Sequence, residues 1–510
     1  MLRRIWRKSY VKTESNWTEN GALYLDEWLL LVDMLRTDDL ELDVFTVKDG
    51  TRGVASGAFM ANGFAEIVFP DSVEHFDGTY YCFNNIAEKI TFGAGVKTLT
   101  GMMFNQSSEM DALEITIIEN NPYYKVVDEF ILTKDGKELI YCFRTAKELT
   151  VPDGVETIIA RAFASNRSEK IILNEGLLEI GESAFTNCTN LTEIILPDSL
   201  QRLGLEAFYN CSSLLSVHIG ANLSSSYVPT AYFGVNLRTI TLSEKNPYMK
   251  SVEGVLYTAD GKTLLLYPAK DARESYTVIE VTEILEQWSL AGATKLKELI
   301  LPSSLKEIRM VSIASCDGLQ ELVIPDGVHT IERFAIESNA RLVSLTLGAG
   351  LEIFDDKEIY FCDKLTEIYN RSSLPMQTFT MECSSGLYKE VSAYSDPAES
   401  KLKTDENGFV LYKDGECTVL VNYVGEATNM LIVPNGVTEI GEGALINLTF
   451  YLNTVILPDS VVKIGGRAFR LQRFLEKVVC GTGLKEIGNE AFALCESLSI
   501  VEIKQSIRRN

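Results

Sequence analysis

Three histidines, His75, His218 and His329, are the side chains here of the type most used for general acid–base chemistry, and they stand far apart in sequence. None has a serine or cysteine partner at the spacing of a nucleophilic triad. No GxSxG, HExxH, phosphate-loop or dinucleotide pattern occurs. DGKT at 260–263 has the ending of a phosphate loop, but no glycine stands five residues before Gly261. The ten cysteines contain no CxxC pair, which argues against a zinc ribbon or finger. Asp153, Glu175 and Asp198 recur at one phase of three successive segments, where converging carboxylates could hold a loosely bound Ca²⁺. The same residues serve turns, and that reading needs no ion. The sequons at Asn187, Asn190, Asn210 and Asn447 mostly fall where the repeated pattern itself supplies Asn, Ser and Thr. No catalytic group, metal or cofactor is therefore expected, and the chain reads as non-enzymatic.

The bulk properties narrow the partners. The 510 residues carry a formal charge of −24, which argues against nucleic acid and anionic membranes, both of which need Lys and Arg patches. Basic patches occur only in MLRRIWRKSYVK and SIRRN, at the two ends. No apolar run approaches the ~20 residues of a membrane span, so no membrane insertion is expected. The basic start is followed by polar TESNWTENG, so no secretory signal is visible.

What positions these residues is a phrase that recurs from about residue 48 to residue 503. NEGLLEIGESAFTNCTNLTEIIL (174–196), PDSLQRLGLEAFYNCSSLLSVHI (197–219) and GTGLKEIGNEAFALCESLSIVEI (481–503) show it best. A short fixed period with apolar residues at fixed phases predicts a solenoid, β-rich with parallel strands: about 15 turns of ~23 residues. Eleven residues after each opening Pro, Gly or Asn stands a large plug: Tyr81, Phe104, Phe163, Phe185, Phe208, Ile313, Ile336, Ile359, Leu445, Phe469 or Phe492. Only the turn opened by Gly220 departs, with Ala231 there and Phe233 nearby. Pro-Asp-Ser/Gly predicts a turn, and Gly181, Gly204, Gly441, Gly465 and Gly488 predict tight corners with positive φ. Five cysteines, Cys188, Cys211, Cys316, Cys362 and Cys495, share one phase and read as small, buried, reduced apolar residues.

FILTKDGKELIYCF (130–143), GVLYTADGKTLLLYP (254–268) and GFVLYKDGECTVLVNY (408–423) each place Asp-Gly between apolar runs, the signal of a hairpin. They are expected to project from the stack and divide it. The resulting organisation is an N-terminal cap with a short helix over 1–47, repeat blocks over 48–118, 151–242, 279–394 and 434–510, and hairpin insertions over 119–150, 243–278 and 395–433. YLDEWLLLVDMLR (24–36) reads as the amphipathic helix of that cap, a lid over the first turn. The last strand, SIVEI, is followed only by KQSIRRN. Either a mate covers its edge by end-to-end self-association, or the chain was once longer.

The pattern I-G-x-x-A-F-x-x-C-x-x-L-x-x-I/V-x-L resembles the BspA-like leucine-rich repeats of bacterial and protist surface antigens. The turns over 302–370 depart from it, with Ile for Phe and no corner glycine, which predicts looser corners there. The resemblance implies a protein-binding or adhesion module at the cell surface or secreted, since some such antigens attach to matrix proteins such as fibronectin and fibrinogen. An intracellular scaffold of the same architecture stands beside it, supported by the missing signal and by cysteines suited to a reducing compartment. A passive spacer is the third reading.

For a binding surface, the residue between Ile and the last Leu of L-x-x-I-x-L points out of the sheet. Down the stack it reads Val68, Thr91, Ile195, His218, Thr241, Ile300, Val323, Thr346, Tyr369, Ile456, Val479 and Glu502. Most are Val, Ile or Tyr, apolar for a solvated row on so acidic a chain. Val68, Ile195, His218, Ile300, Val323, Tyr369, Ile456 and Val479 are therefore the candidate residues of a protein-contact ridge, expected on a concave side. The competing account is that β-branched residues simply suit strands.

Overall fold

Because each turn can bury its apolar phases only against the turns on either side, the core must grow along the stack. The computed structural model describes residues 18–19, 21–32, 43–59, 64–77, 83–84, 87–105, 113–234, 236–354, 357–383, 388–446, 448 and 451–504. It is a parallel-strand β-solenoid of about 19 turns, more than the phrase alone counts. The additional turns use strands with weaker copies of the pattern, such as Val44–Thr46, Glu114–Ile117 and Met430–Ile432. Among the described residues the one α-helix is Val228–Ala231, and no helix is long and apolar enough to cross a membrane. The chain divides into two units, residues 1–260 with 265–271, and residues 261–264 with 272–510.

In the first unit most turns give one strand to an outward-facing ladder and another to a second ladder. The outward ladder runs through Val44–Thr46, Phe64–Phe69, Ala87–Phe92 and Glu114–Ile117, then through Glu148–Thr150, Lys170–Ile172, Glu193–Ile195, Ser216–Ile219 and Thr239–Leu242. Tyr81 lies outside the described residues and Phe104 stacks on Tyr141, while the plugs from Phe163 onward stack on one another as expected. Phe163, Phe185 and Phe208 are fully buried, with ring centroids 4.9 and 5.1 Å apart and planes within 16°. Phe233 takes the place in this column that the phrase assigns to Ala231, lying 5.1 Å from Phe208.

Residues 24–32 are not helical. Ala22–Leu25 and Trp28–Val32 form an antiparallel hairpin, and the second strand pairs in parallel with Gly53–Ala55. The first strand of a ladder leaves a row of unpaired backbone groups, and an edge strand satisfies them where a helix cannot. The Trp28 ring lies against Gly53, where a Cβ would sit 2.5 Å from it. Residues 33–36 of the expected helix lie outside the described residues.

The Asp-Gly hairpins form, but they do not project. Phe130–Thr133 pairs antiparallel with Glu138–Cys142, which then pairs in parallel with Thr157–Ile158 as a member of the second ladder. In the second unit Phe409–Asp414 and Cys417–Tyr423 do the same, the latter pairing with Glu439–Ile440. Phe130, Leu139, Phe409 and Leu420 are buried, and a projecting hairpin would expose them. Asn121 braces one hairpin, donating to the Gly93 and Val96 carbonyls and accepting from the Tyr123 and Tyr124 N–H at 2.8 and 2.9 Å.

The second unit has outward strands Ser275–Thr277, Glu298–Ile300, Glu321–Val323, Ser344–Leu347, Glu367–Asn370, Tyr388–Tyr394, Met430–Ile432, Thr454–Ile456, Lys477–Cys480 and Ile500–Ile503. The Ile plugs of these turns are themselves strand-paired. Ile313–Ala314, Ile336–Glu337 and Ile359–Tyr360 join a third parallel ladder, because β-branched Ile suits a strand at the corner.

The corner glycines serve proximity rather than φ. Gly181, Gly204, Gly441, Gly465 and Gly488 do not take positive φ. A Cβ on Gly204 would lie 2.3 Å from the Gly181 carbonyl carbon, and one on Gly488 2.5 Å from the Gly466 nitrogen. The left-handed conformation falls instead on residues with side chains, such as Ser183 (φ 53°), Asn187 (φ 60°) and Glu490 (φ 56°). Ser183 and Asn187 there donate their N–H to the Leu205 and Tyr209 carbonyls of the next turn, bonds that offset the strain.

The cysteine phase carries donors, not only small apolar bodies. Cys188, Cys211 and Cys495 each donate Sγ–H to the carbonyl of the plug residue one turn back, Phe163, Phe185 and Phe469, at 3.0–3.1 Å. Asn339 and Gln472 hold this phase in other turns and donate to Ile313 and Leu445. Nine cysteines are described and all are free. Burial pushes the Cys316 and Cys362 thiols up to about 12.

Candidate functional site

On an outward strand of three residues the middle side chain enters the core and the first and third face solvent, so each ladder shows two external columns. Strand register decides which residues are neighbours. Val68 lies beside Thr91, and Ile195 beside His218, which is followed by Thr241. In the second unit Thr277 leads to Ile300, while Val323, Thr346 and Tyr369 are consecutive, as are Ile456, Val479 and Glu502. Each unit thus aligns its own share of the candidate ridge. Ile195 and Val323 are about half exposed, at 52% and 51%, whereas Val68, His218, Tyr369, Ile456 and Val479 are half-buried.

Three further residues obey the same rule, two positions before a turn opener, and belong with them: Thr150, Ile172 and Ile432. Ile432 escapes the sequence reading because its strand was assigned to a hairpin insertion. Tyr394 extends the row beyond Tyr369, and only the parallel pairing of Glu367–Asn370 with Tyr388–Tyr394 places it there.

The companion column is largely polar, and several of its members pair with one another. Glu66 receives the Thr91 hydroxyl at 2.9 Å and the Lys89 ammonium at 3.2 Å, contacts that hold its carboxyl below the usual range. Lys170 meets Glu148 at 3.0 Å, and Ser275 donates to Glu298 at 2.6 Å. Exposed pairs of this kind contribute roughly 0–1 kcal/mol each, so they set surface pattern more than stability.

The histidines are not brought together. His218 Nδ1 lies 2.9 Å from the Thr241 hydroxyl oxygen, His329 Nδ1 lies 3.0 Å from the Gly350 carbonyl, and His75 stands 3.6 Å from Glu74. The carboxylates at 153, 175 and 198 do not converge on an ion either. Asp198 accepts the Ala221 N–H at 3.0 Å and meets Lys245 at 3.3 Å; a hydrogen bond from Ser243, then these two contacts, depress its carboxyl. Asp71, Asp326 and Asp459 likewise accept a backbone N–H from the next turn, at 2.8 Å. The aspartate of Pro-Asp therefore ties one turn to the next. Asn210 donates to Asn187 across turns at 2.7 Å, a structural use of two sequon residues. Among the described residues no group of three or more His, Cys, Asp or Glu is placed to hold a metal.

The strand Ile500–Ile503 pairs with Lys477–Cys480 on one side. Ile500, Val501 and Ile503 are about half exposed.

A family model for the BspA type leucine rich repeat region matches residues 38–126, 136–251, 273–383 and 424–509. Among solved structures, the pneumococcal vaccine antigen PcpA is 18% identical, with 95% of this chain and 96% of that chain covered at a TM-score of 0.39. A leucine-rich repeat protein from Eubacterium ventriosum is 15% identical, covering 83% and 86% at 0.38. A leucine rich cell surface protein from Faecalibacterium prausnitzii is 15% identical, covering 96% and 95% at 0.30. No curated protein matches the chain.

Proposed function

The chain belongs to the BspA-type leucine-rich repeat family, and from that membership we propose that it is a non-enzymatic protein-binding scaffold working through its outward strand columns. The observation that carries this is the row of solvent-facing β-branched and aromatic side chains held in register along each outward ladder. The finer reading places it at the cell surface or secreted, as an adhesin or antigen that holds a host or matrix protein. Immobilised fibronectin and fibrinogen are the first probes, with Ile195→Glu, Ile456→Glu and Val479→Glu as ridge variants. These positions face solvent, so the variants are expected to fold, and each should weaken capture at least tenfold. Unchanged capture by folded variants removes the ridge. Absence of binding to either matrix protein removes the adhesin reading.

A second reading, an intracellular scaffold with the same columns, draws on the nine free thiols. Surface proteolysis of intact cells chooses between them. For the edge of Ile500–Ile503 we propose self-association between copies. Sedimentation of the full chain should show a concentration-dependent dimer that Val501→Lys dissolves; a monomer at all concentrations removes it.

A further inference from the structure

One junction between consecutive turns is open on the outward face although no hairpin separates them. Glu298–Ile300 pairs only with Ser275–Thr277, and Glu321–Val323 only with Ser344–Leu347. Among the described residues, every other pair of consecutive outward strands without an inserted hairpin between them is hydrogen-bonded. At the closed junction of Glu193–Ile195 with Ser216–Ile219, the Leu196 N–H meets the His218 carbonyl at 2.9 Å and the Leu215 N–H meets the Thr192 carbonyl at 2.8 Å. The equivalent bonds, Leu301 N–H to Val323 C=O and Gln320 N–H to Lys297 C=O, are absent among the described residues.

The opening is bounded. At one end a Cβ on Gly318 would lie 2.4 Å from the Leu296 carbonyl oxygen, and at the other a Cβ on Gly327 would lie 2.7 Å from that of Ser303. Glycine thus lets the two backbones meet closely before and after the stretch where the ladder bonds are missing. Behind it the same two turns are held by Glu307 against Thr330 and Ile313 against Ile336. Over this stretch lies a cleft of about 810 Å³ lined by Ile300, Val323, Pro325, Glu321, Asp326 and Arg371.

Its chemistry suits one kind of occupant. Ile300 and Val323, 45% and 51% exposed, face solvent on either side of it. Unmatched backbone donors and acceptors seek an extended chain, the partner that presents both at strand spacing. Glu298 is occupied by Ser275, and Asp326 by Arg371 at 2.9 Å, which leaves Glu321 as the carboxylate without a partner among the described residues.

We propose that this cleft receives an extended segment of a partner protein, seating an aliphatic side chain between Ile300 and Val323 and placing a Lys or Arg two residues along against Glu321. The two-residue spacing follows from the strand period, which puts alternate side chains on one face. This rests on the protein-binding reading and gives it a site and a ligand chemistry.

The test pans a display library of random dodecapeptides on the full chain and measures synthetic copies of enriched sequences by fluorescence anisotropy. Aliphatic-x-Lys/Arg sequences should enrich. Glu321→Lys and Val323→Arg should each weaken them at least tenfold, while Glu416→Lys, at an exposed hairpin turn outside the cleft, leaves them unchanged. Binding should also slow hydrogen exchange at the Gln320, Glu321 and Leu301 amides at least tenfold. Enrichment of unrelated sequences, or equal binding to both cleft variants, overturns the cleft. If affinity then falls with Ile456→Glu, the scaffold reading survives without the cleft. If no substitution on either surface changes binding, both readings fall.

Discussion

Replacing Asn339 with leucine tests whether the cysteine phase is a hydrogen-bonding position or a filler position. Asn339 is 1% exposed. Its Nδ2 donates to the Ile313 carbonyl at 2.9 Å, and its Oδ1 accepts the buried Cys316 N–H at 2.9 Å. Leucine fills a similar volume, so the transfer and cavity terms are small. The lost donor costs about 1 kcal/mol, the net worth of an ordinary bond. The stranded Cys316 N–H costs about 1–3 kcal/mol more, because no water reaches it. The expected total is about 2–4 kcal/mol, read by urea unfolding of the full chain with far-UV circular dichroism. Asn339→Cys should cost less than Asn339→Leu, since Cys316 and Cys362 donate Sγ–H from this phase in neighbouring turns. In a solenoid the loss is local, so faster exchange of the Cys316 amide should accompany it. If Asn339→Leu lies within about 0.5 kcal/mol of wild type, the phase needs only volume and the donor ladder has no energetic role.

Two other tests follow from the packing between turns. Gly204→Ala puts a methyl 2.3 Å from backbone of the adjacent turn, whereas Gly436 (φ 92°) has nothing within 4 Å of its added Cβ. Gly436→Ala should therefore cost only the left-handed strain of about 1–2 kcal/mol, and Gly204→Ala distinctly more, by thermal unfolding; the reverse order would refute the close-approach account. Cys316 and Cys362 are raised from 9.0 to about 12 by burial. A folded-state value above the unfolded one gives stability that is complete below pH 9 and lost as pH rises toward 12. At 1.36 kcal/mol per unit this is about 4 kcal/mol for each thiol. Alkaline titration should show their thiolate absorbance appearing only with loss of far-UV dichroism; thiolate in a folded chain would contradict it.

The aromatic column was legible because Phe163, Phe185 and Phe208 recur at a fixed phase, and a fixed phase in a stack means contact between copies. What was not legible is how far apart the backbones of adjacent turns stand. Gly204 is glycine in either account, and only the position of Gly181 behind it separates close approach from positive φ. The hairpin cap over 22–32 was hidden for a related reason. Its apolar residues satisfy a helical stripe, and what overrides that is the bare edge at Gly53–Ala55, a demand made by a different segment. The site follows the same division. Phase named the outward column, but residues 298–300 and 321–323 carry the same pattern as their neighbours, Glu-Leu-Ile and Glu-Leu-Val. Nothing in those letters says that their ladder is open. The departure lies at Gly318, where glycine lets two turns meet beside the unpaired strands; Gly327 shares its phase with Gly95, Gly350 and Gly483, which stand at closed junctions. In a repeat protein the shared letters describe the scaffold, and departures from them in the flanking turns mark where one junction differs from the rest.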